Sequence, residues 1–187
     1  AKVALIAAEA ERLGELVTVM LDLARSDAGR LTLELEPLDP ELVVLDAYER
    51  LQSLAPARLR LAPPFEGEMP RITADAERLH QCLAALVDNA LGYSVGTVQL
   101  AVSALSDVVT LHVRDQGPGI PEGERAQVLE RFVRGSTSIG TRGSGIGLAT
   151  VKLLMEAMQG ELRIGDAPEG GADLQLRFKI LVPPPAP

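Results

Sequence analysis

Two short glycine clusters are the residues whose types and spacing could do chemistry in this chain. They read DQGPGI at residues 115–120 and GSGIGL at residues 143–148. The first follows an alternating stretch, TLHVR, that favours a β-strand, and Pro118 and Pro121 prevent this strand from continuing. The carboxylate of Asp115, followed by residues without side-chain bulk, can accept a hydrogen bond from a flat ligand close to the backbone. Taken alone, the pattern also fits a plain turn.

The second cluster stands directly before an apolar helical stripe that begins at Ile146. Glycines in this position let backbone N–H groups face an anion, and the partial positive charge of a helix N-terminus favours phosphate. The spacing excludes two common phosphate loops. A Walker loop needs Lys and then Ser or Thr after its last glycine, but Gly147 is followed by Leu148 and Ala149. The dinucleotide-binding fingerprint needs glycine at its sixth position, which is Leu148 here.

A third candidate is LVDNALGYS at residues 86–94, where Asp88 and Asn89 lie at the polar edge of an otherwise apolar helix. Mg²⁺ takes a few protein oxygens and completes its shell with phosphates and water, so the carboxamide of Asn89 would suffice as a protein ligand. For an isolated Asn, a solvent-facing residue or one in the last helical turn is the more common explanation.

The elements that must position these residues follow the pattern of a mixed α/β domain. Strands are predicted at 31–36, 58–62, 70–75, 96–105, 108–115, 161–165 and 172–180, and helices at 39–51, 76–92, 122–132 and 146–159. Asp39 and Asp75 are the expected N-caps of the first two helices. Ser106 and Asp107 form the turn of a predicted hairpin.

The first thirty residues follow a different pattern, with apolar residues at the alternating spacing of three and four that is typical of a helix packed lengthwise on another helix. Such a stripe also fits a helix that covers the domain's own core. The pattern starts at residue 1 without a capping signal, which predicts that the chain is a fragment, and Gly29 is a plausible stop. The tail, residues 183–187, is expected to be disordered.

Composition excludes several classes of protein. The formal charge of -8 gives no global attraction for nucleic acid or an anionic membrane, so a polyanionic ligand needs local positive charge. No apolar run reaches the ~18 residues of a membrane span, and a soluble chain is expected. The single cysteine, Cys82, excludes an internal disulfide framework.

The candidate motifs stand in a characteristic order: RLHQCLAALVDNALGYS, DQGPGI, LERFVRG and GSGIGLATVKLLMEAMQGELRI. This order resembles the ATP-binding catalytic domain of bacterial sensor histidine kinases, with its N box, first glycine box, phenylalanine box and second glycine box. The resemblance implies an α+β fold, the two-layer α/β sandwich called the Bergerat fold, with a mixed, mainly antiparallel sheet and helices on one face. Residues 30–182 would form this domain. Residues 1–29 look like the long second helix of the dimerisation and histidine-phosphotransfer domain.

The resemblance also implies roles for individual residues. Asp115 would accept the adenine amino group, Asn89 would hold Mg²⁺, and the glycines of the second box would border the phosphates and hinge a lid at 121–144. Arg131, Arg134 and Arg142 are the nearby cations. The nucleotide-binding set implied in this way is Asn89, Tyr93, Asp115, Gly117, Gly119, Ile120, Phe132, Arg134, Arg142, Gly143, Gly145, Gly147 and Leu148.

The chain departs from the family pattern at three places. Ala85 stands where a second Asn or an acid is usual, and Gly92 stands where Lys or Arg is common. Each change removes a polar contact worth about 1.5 to 3 kcal/mol in a well-formed site. The phospho-acceptor His is also missing, because neither His80 nor His112 has the expected setting. No catalytic residue is assigned, and Asp88 is only the nearest carboxylate.

The resemblance thus implies the Mg-ATP-binding part of a kinase that transfers the γ-phosphate to a histidine upstream and then to the receiver domain of a response regulator. Homodimerisation would run through the N-terminal helix of the intact protein. The location would be cytoplasmic, with any inner-membrane anchor in an upstream segment and no nucleic-acid or membrane contact by these residues. Ala85 and Gly92 keep open a degenerate, purely regulatory domain of the same fold, and another ATPase or serine kinase of the superfamily is a third hypothesis.

Overall fold

The computed structural model describes residues 31–133, 135 and 145–181. The chain divides into two compact units, Ala1–Thr32 and Leu33–Pro187. The predicted N-terminal helix at 1–29 and the tail at 183–187 lie outside the described residues. Within the described residues, no helix is both long and apolar enough to cross a membrane.

The described part of the second unit contains seven strands and three α-helices. The strands are β1 (Glu36–Leu38), β2 (Leu59–Leu61), β3 (Ile72–Ala74), β4 (Val98–Leu105), β5 (Val108–Arg114), β6 (Glu161–Asp166) and β7 (Ala172–Lys179). The helices are α1 (Pro40–Leu51), α2 (Ala76–Tyr93) and α3 (Gly147–Ala157). Asp39 and Asp75 cap α1 and α2 as expected, since their carboxylates accept from Glu41 N and Arg78 N at 3.0 Å.

Two sequence predictions are wrong in extent. Residues 31–35 are not a strand. Within the described residues β1 pairs with the three-residue strand β3 alone, and the Glu34 N–H donates to Asp75 Oδ2 at 2.9 Å. Residues 122–132 form two 3₁₀ turns, Glu122–Glu124 and Gln127–Leu129, in place of a helix. Only Val128 is buried in these turns, so an α-helix would have no apolar face to pack.

Five strands form one sheet in the order β2-β4-β5-β7-β6, and β1 and β3 form a separate antiparallel pair. Only β2 and β4 run parallel, because the chain between them crosses over through β3 and α2. The other neighbours in the large sheet are antiparallel. The mixed, mainly antiparallel sheet is therefore confirmed.

The hydrophobic core lies between this sheet and the helices. Alternate side chains of the central strands are fully or nearly fully buried, namely Val109, Leu111, Val113, Leu174, Leu176 and Phe178. Helix α2 buries the stripe Leu79, Cys82, Leu83, Leu86, Val87 and Ala90 against the same layer. Helices on one face of the sheet are thus confirmed, and the α2 stripe places its polar edge, with Asn89, away from the core.

The opposite side of the central strands carries a buried polar network. His112 Nδ1 lies 3.0 Å from Asp173 Oδ2, and His112 Nε2 lies 2.8 Å from Ser103 Oγ. Arg114 Nε stands 3.5 Å from the same Asp173 oxygen. Burial alone would raise the pKa of Asp173, but hydrogen bonds from His112 and Gln175, together with the charges of His112 and Arg114, hold this pKa below its usual value. Asp173 is therefore an anion that supports the sheet.

This network predicts a pH-dependent contribution to stability. A carboxylate whose pKa is lowered by folding stabilises the protein above its unfolded pKa of about 3.9, and this contribution is lost as the pH falls through the folded pKa. Asp173→Asn should lower the free energy of unfolding by about 1.5 to 3 kcal/mol at pH 7. The difference from wild type should shrink below about pH 4 in urea titrations.

Glu161→Gln is the matched control, because it removes an exposed carboxylate from β6 in the same sheet. It should change stability by less than about 0.5 kcal/mol at either pH. An Asp173→Asn deficit that is the same in acid and at neutrality would contradict the charged network.

Candidate functional site

Asp115 follows the last residue of β5 and is 4% exposed. Its backbone N–H donates to Ala172 O at 3.0 Å. Its Oδ1 atom accepts from Gly117 N at 2.7 Å and from Ala172 N at 3.3 Å. Since Oδ2 accepts no hydrogen bond from the described residues, it is the oxygen left for an external donor. Burial raises the pKa of Asp115, and the two backbone hydrogen bonds only partly offset this effect.

Two glycines permit the backbone to lie this close to the carboxylate. A Cβ atom on Gly117 would stand 2.8 Å from Asp115 Oδ1 and 2.9 Å from Tyr93 O. A Cβ atom on Gly171, which has φ of +91°, would stand 2.7 Å from the same Oδ1 and overlap the Asp115 carbonyl. Gly171 lies between the predicted strands 161–165 and 172–180, and nothing in the linear pattern places it beside Asp115. Its role is visible only from the β5–β7 pairing.

The rest of the first glycine cluster leads into the predicted lid. Gly119 has φ of +72°, and a Cβ atom there would stand 3.4 Å from Gly171 O. The Ile120 carbonyl accepts from Arg125 Nε at 3.0 Å, and Arg125 also pairs with Asp166 Oδ1 at 2.5 Å. Arg125 therefore fastens the beginning of this segment to the end of β6.

Tyr93, half-buried at the end of helix α2, lies beside Gly117, since a Cβ atom there would stand 2.9 Å from Tyr93 O. Asn89, also half-buried, lies one helical turn before Tyr93. Ala85, Asn89 and Gly92 share one face at the i, i+4, i+7 spacing, and Asp88 is exposed beside them. Within the described part of the chain, no hydrogen bond uses the Asn89 carboxamide, which leaves it for a ligand. Gly92 is exposed, and a Cβ atom there would meet nothing within 4 Å, so the absence of a longer side chain has no steric cause.

The N-terminus of α3 offers backbone donors. Ile146 precedes the helix and no side chain caps it. Gly145, with φ of +69°, packs against the backbone of the phenylalanine-box segment, where a Cβ atom would stand 3.0 Å from Val133 O. Its carbonyl accepts from Phe132 N at 2.9 Å. A Cβ atom on Gly147 would meet nothing within 4 Å, so the space at this helix end is open to an anion.

Of the remaining predicted site residues, some are described by the structure and others are not. Phe132 is 65% exposed with φ of +65°, Leu148 is half-buried in α3, and Arg131 is exposed. Arg134, Arg142 and Gly143, with most of the predicted lid beyond 133, lie outside the described residues. Direct contacts therefore join Tyr93, Asp115 and Gly117 on one side, and Phe132 and Gly145 on the other.

This arrangement has a defined chemical capacity. A buried carboxylate with one unused oxygen beside flexible glycines can select a planar group that donates a hydrogen bond. An uncapped helix N-terminus can bind an anion. No cluster of three His, Cys, Asp or Glu that could hold a metal occurs in residues 31–133 and 145–181, so a cation bound by Asn89 would need oxygens from its ligand.

Comparison with known proteins identifies a family and several relatives of this chain. Residues 74–182 match the family model described as histidine kinase-, DNA gyrase B- and HSP90-like ATPases. The chain is 33% identical over 187 residues to the signal transduction histidine-protein kinase AfsQ2 of Streptomyces coelicolor, which covers 98% of this chain and 34% of that protein. It is 36% identical to the probable sensor histidine kinase TcrY of Mycobacterium tuberculosis, over 94% of this chain and 37% of that protein. The chain thus spans about a third of the length of these relatives.

Solved structures agree with this match. The fold is similar to full-length ShkA in complex with AMPPNP, with a TM-score of 0.77 and 31% identity over 94% of this chain and 38% of that one. It is also similar to the ATP-binding domain of PrrB from Mycobacterium tuberculosis, with a TM-score of 0.65 and 26% identity over 80% of this chain and 99% of that one. The chain therefore belongs to the histidine kinase-, DNA gyrase B- and HSP90-like ATPases, and the relatives that it resembles in sequence are sensor histidine kinases.

Proposed function

We propose that residues 33–181 bind Mg-ATP and present its γ-phosphate to a histidine that lies outside these residues, as the catalytic part of a sensor histidine kinase. The observation that carries the proposal is Asp115, whose Oδ1 is held by Gly117 and Ala172 while Oδ2 is left for the adenine amino group. The ionised carboxylate is a strong acceptor for that donor. Gly117, Gly119 and Ile120 line the approach of the base, and Tyr93 lies against the nucleotide.

The triphosphate is proposed to extend from this base site to the N-terminus of α3. Gly145, Gly147 and Leu148 supply the backbone amides there, and the helix end carries partial positive charge. Asn89 would hold Mg²⁺, and the ion would supply positive charge beside the phosphate oxygens. Arg134, Arg142 and Gly143 belong to the proposed site from the sequence resemblance, with Phe132 at the lid.

The proposed reaction is an in-line transfer in which the acceptor imidazole nitrogen forms a bond to the γ-phosphorus while the bond to the β,γ-bridging oxygen breaks. ADP leaves with the electron pair, and the imidazole proton passes to a base, for which exposed Asp88 on the Asn89 face is the nearest carboxylate of α2. The histidines of this chain are engaged elsewhere. His80 Nε2 lies 2.9 Å from Asp46 Oδ2, and His112 belongs to the sheet network.

The proposed partners follow from this reaction. The phosphoryl group passes from the histidine to an Asp of a response regulator receiver domain, in keeping with the names of the relatives as signal-transduction kinases. Residues 1–29 are proposed to form the dimer helix that places the acceptor near the nucleotide. The proposed location is cytoplasmic.

The nucleotide site is tested by ligand-dependent melting. Mg-ATP should raise the melting temperature of the wild-type chain, because a ligand bound only by the folded state stabilises it. Asp115→Asn should remove the preference for ATP over GTP, and Asn89→Ala should remove the effect of Mg²⁺ on ATP binding. Asp107→Asn, in the β4–β5 turn, is the control and should behave as wild type. Unchanged binding in both site variants would show that the assignment is wrong.

Gly171 provides a second test, with its neighbour as a matched control. Gly170 and Gly171 both have positive φ, but a Cβ atom on Gly170 meets nothing within 4 Å whereas one on Gly171 strikes Asp115. Gly170→Ala should cost about 1 kcal/mol of stability from backbone strain. Gly171→Ala should cost more, because its Cβ atom would also overlap the Asp115 carbonyl. Only Gly171→Ala should also weaken ATP binding, by about tenfold or more, measured by calorimetry. Equal losses of affinity in the two variants would contradict the close packing around Asp115.

Phosphoryl transfer needs its own experiment. The chain is mixed with a separately made helical hairpin that contains an acceptor histidine from a histidine-kinase dimerisation domain, and labelled γ-phosphate is followed. Transfer that disappears in Asp115→Asn is the expected result. Measurable Mg-ATP binding without transfer would contradict the proposed kinase activity. It would favour the regulatory domain that the departures at Ala85 and Gly92 suggest.

A further inference from the structure

Arg58 stands just before β2, and its guanidinium is directed at the carboxyl end of α2. Its Nε donates to Gly96 O at 3.0 Å, its Nη1 to Leu91 O at 3.4 Å, and its Nη2 to Ser94 O. The backbone carbonyl of Arg58 also accepts from Val98 N at 3.0 Å. One residue therefore binds three consecutive parts of the chain: the last turn of α2, the turn after it, and the start of β4.

The end of α2 needs such a donor. The last carbonyls of a helix have no partner within the helix and carry partial negative charge. The last turn of α2 contains no basic residue, so the cation must come from elsewhere in the fold. Ser94 is 4% exposed and Arg58 is half-buried, so water competes poorly for these carbonyls. The Arg58 guanidinium thus acts as the cap of α2.

The turn held by Arg58 touches the base site directly. The Thr97 N–H donates to Gln116 Oε1 at 2.9 Å, and a Cβ atom on Gly96 would stand 2.6 Å from the same oxygen. Gln116 lies between Asp115 and Gly117, and Gly117 packs against Tyr93 O. A shift of residues 94–96 would therefore move Asn89 and Tyr93 relative to the Asp115 carboxylate.

From these contacts we infer that Arg58 is a positioning residue for the nucleotide site, which sets the distance between the Mg²⁺ ligand Asn89 and the base acceptor Asp115. The inference rests on the proposed function of these two residues. The side-chain hydrogen bonds of Arg58 go to the carbonyls of Leu91, Ser94 and Gly96, and none of these residues is a proposed ligand of the nucleotide or metal. Arg58 acts through the end of α2. Its loss should therefore weaken the binding of Mg-ATP, which uses both Asn89 and Asp115, more than the binding of adenosine, which uses Asp115 alone.

The geometry distinguishes arginine from lysine at this position. The planar guanidinium reaches carbonyls of residues 91, 94 and 96 with different nitrogens, whereas one ammonium on a flexible stem cannot hold all three in fixed directions. Arg58→Lys should therefore retain the charge near the helix end and recover part of the function. Arg58→Ala loses both the charge and the fixed geometry.

The experiment compares Arg58→Ala and Arg58→Lys with Arg60→Ala in the full 187-residue chain. Arg60 is the matched control, because it lies in β2 two residues after Arg58 and is exposed, and its side chain donates, among the described residues, to the nearby carbonyls of Pro56 and Leu59. Calorimetry measures the affinities for Mg-ATP, for ATP with a metal chelator, and for adenosine. Arg58→Ala should weaken Mg-ATP binding about tenfold and adenosine binding about threefold or less. Arg58→Lys should fall between, and Arg60→Ala should match wild type.

Chemical rescue supplies a further readout. Free guanidinium ion, at concentrations far below those that denature proteins, should restore part of the Mg-ATP affinity of Arg58→Ala and leave Arg60→Ala unchanged. A melting temperature that falls while the ratio of Mg-ATP to adenosine affinity stays at the wild-type value makes Arg58 a purely structural residue and overturns the inference. Wild-type affinity for Mg-ATP in a folded Arg58→Ala or Arg58→Lys also overturns it.

The test separates this inference from the proposed function. If Arg58→Ala does not fold, the affinities of Arg58→Lys for Mg-ATP and adenosine test the inference. If the wild-type chain binds no Mg-ATP, the proposed function fails, and amide NMR of Arg58→Lys without nucleotide still tests the contact. Shifts of the Thr97 and Gly117 amides that are absent in Arg60→Ala support the connection from Arg58 to the base loop, and unchanged amides overturn it.

Discussion

The pairing of Asp115 with Ala172, just beyond the last residue of β5, is the interaction on which the rest of the site depends. The Asp115 N–H donates to the Ala172 carbonyl, and the Ala172 N–H donates to Oδ1 of the Asp115 side chain. Together with the Gly117 N–H, this contact fixes Oδ1 and thereby the direction of Oδ2. A side chain on Gly171 or Gly117 would push this arrangement apart. The Asp115 carboxylate can therefore occupy this position only because residues 117 and 171 have no side chain.

This constraint has an electrostatic cost. Burial raises the pKa of Asp115 because the ionised form loses hydration, and only the Gly117 and Ala172 hydrogen bonds oppose the effect. On the other side of the sheet, the charged Asp173 sits one residue after Ala172 and is held by His112 and Arg114. The β5–β7 ladder therefore carries Asp173, whose ionised form is stabilised by its neighbours, close to Asp115, whose ionised form is disfavoured by burial. The paired strands hold the Asp115 carboxylate in its buried position.

The two departures from the family pattern have different structural settings. Gly92 is exposed with open space around it, so a lysine there would fit and its absence is not forced by the fold. Ala85 lies on the same face of α2 as Asn89. Among the described residues, no hydrogen bond joins either position to the Asp115 side chain. Under the proposed function, weaker binding of metal and phosphates at α2 would therefore leave the proposed base site at Asp115 intact.

The sequence by itself determined the elements and the order of the motifs, because helix caps such as Asp39 and Asp75, the β4–β5 hairpin and the glycine clusters are local signals. It overestimated the strand at 31–36, of which only Glu36 pairs with β3, and the helix at 122–132, which has no apolar face to pack. The roles of Gly171 and Arg58 were determined only by the tertiary structure. Their roles come from strand pairing and from a cross-over that bring them to Asp115 and to the end of α2, and no spacing along the chain encodes these contacts.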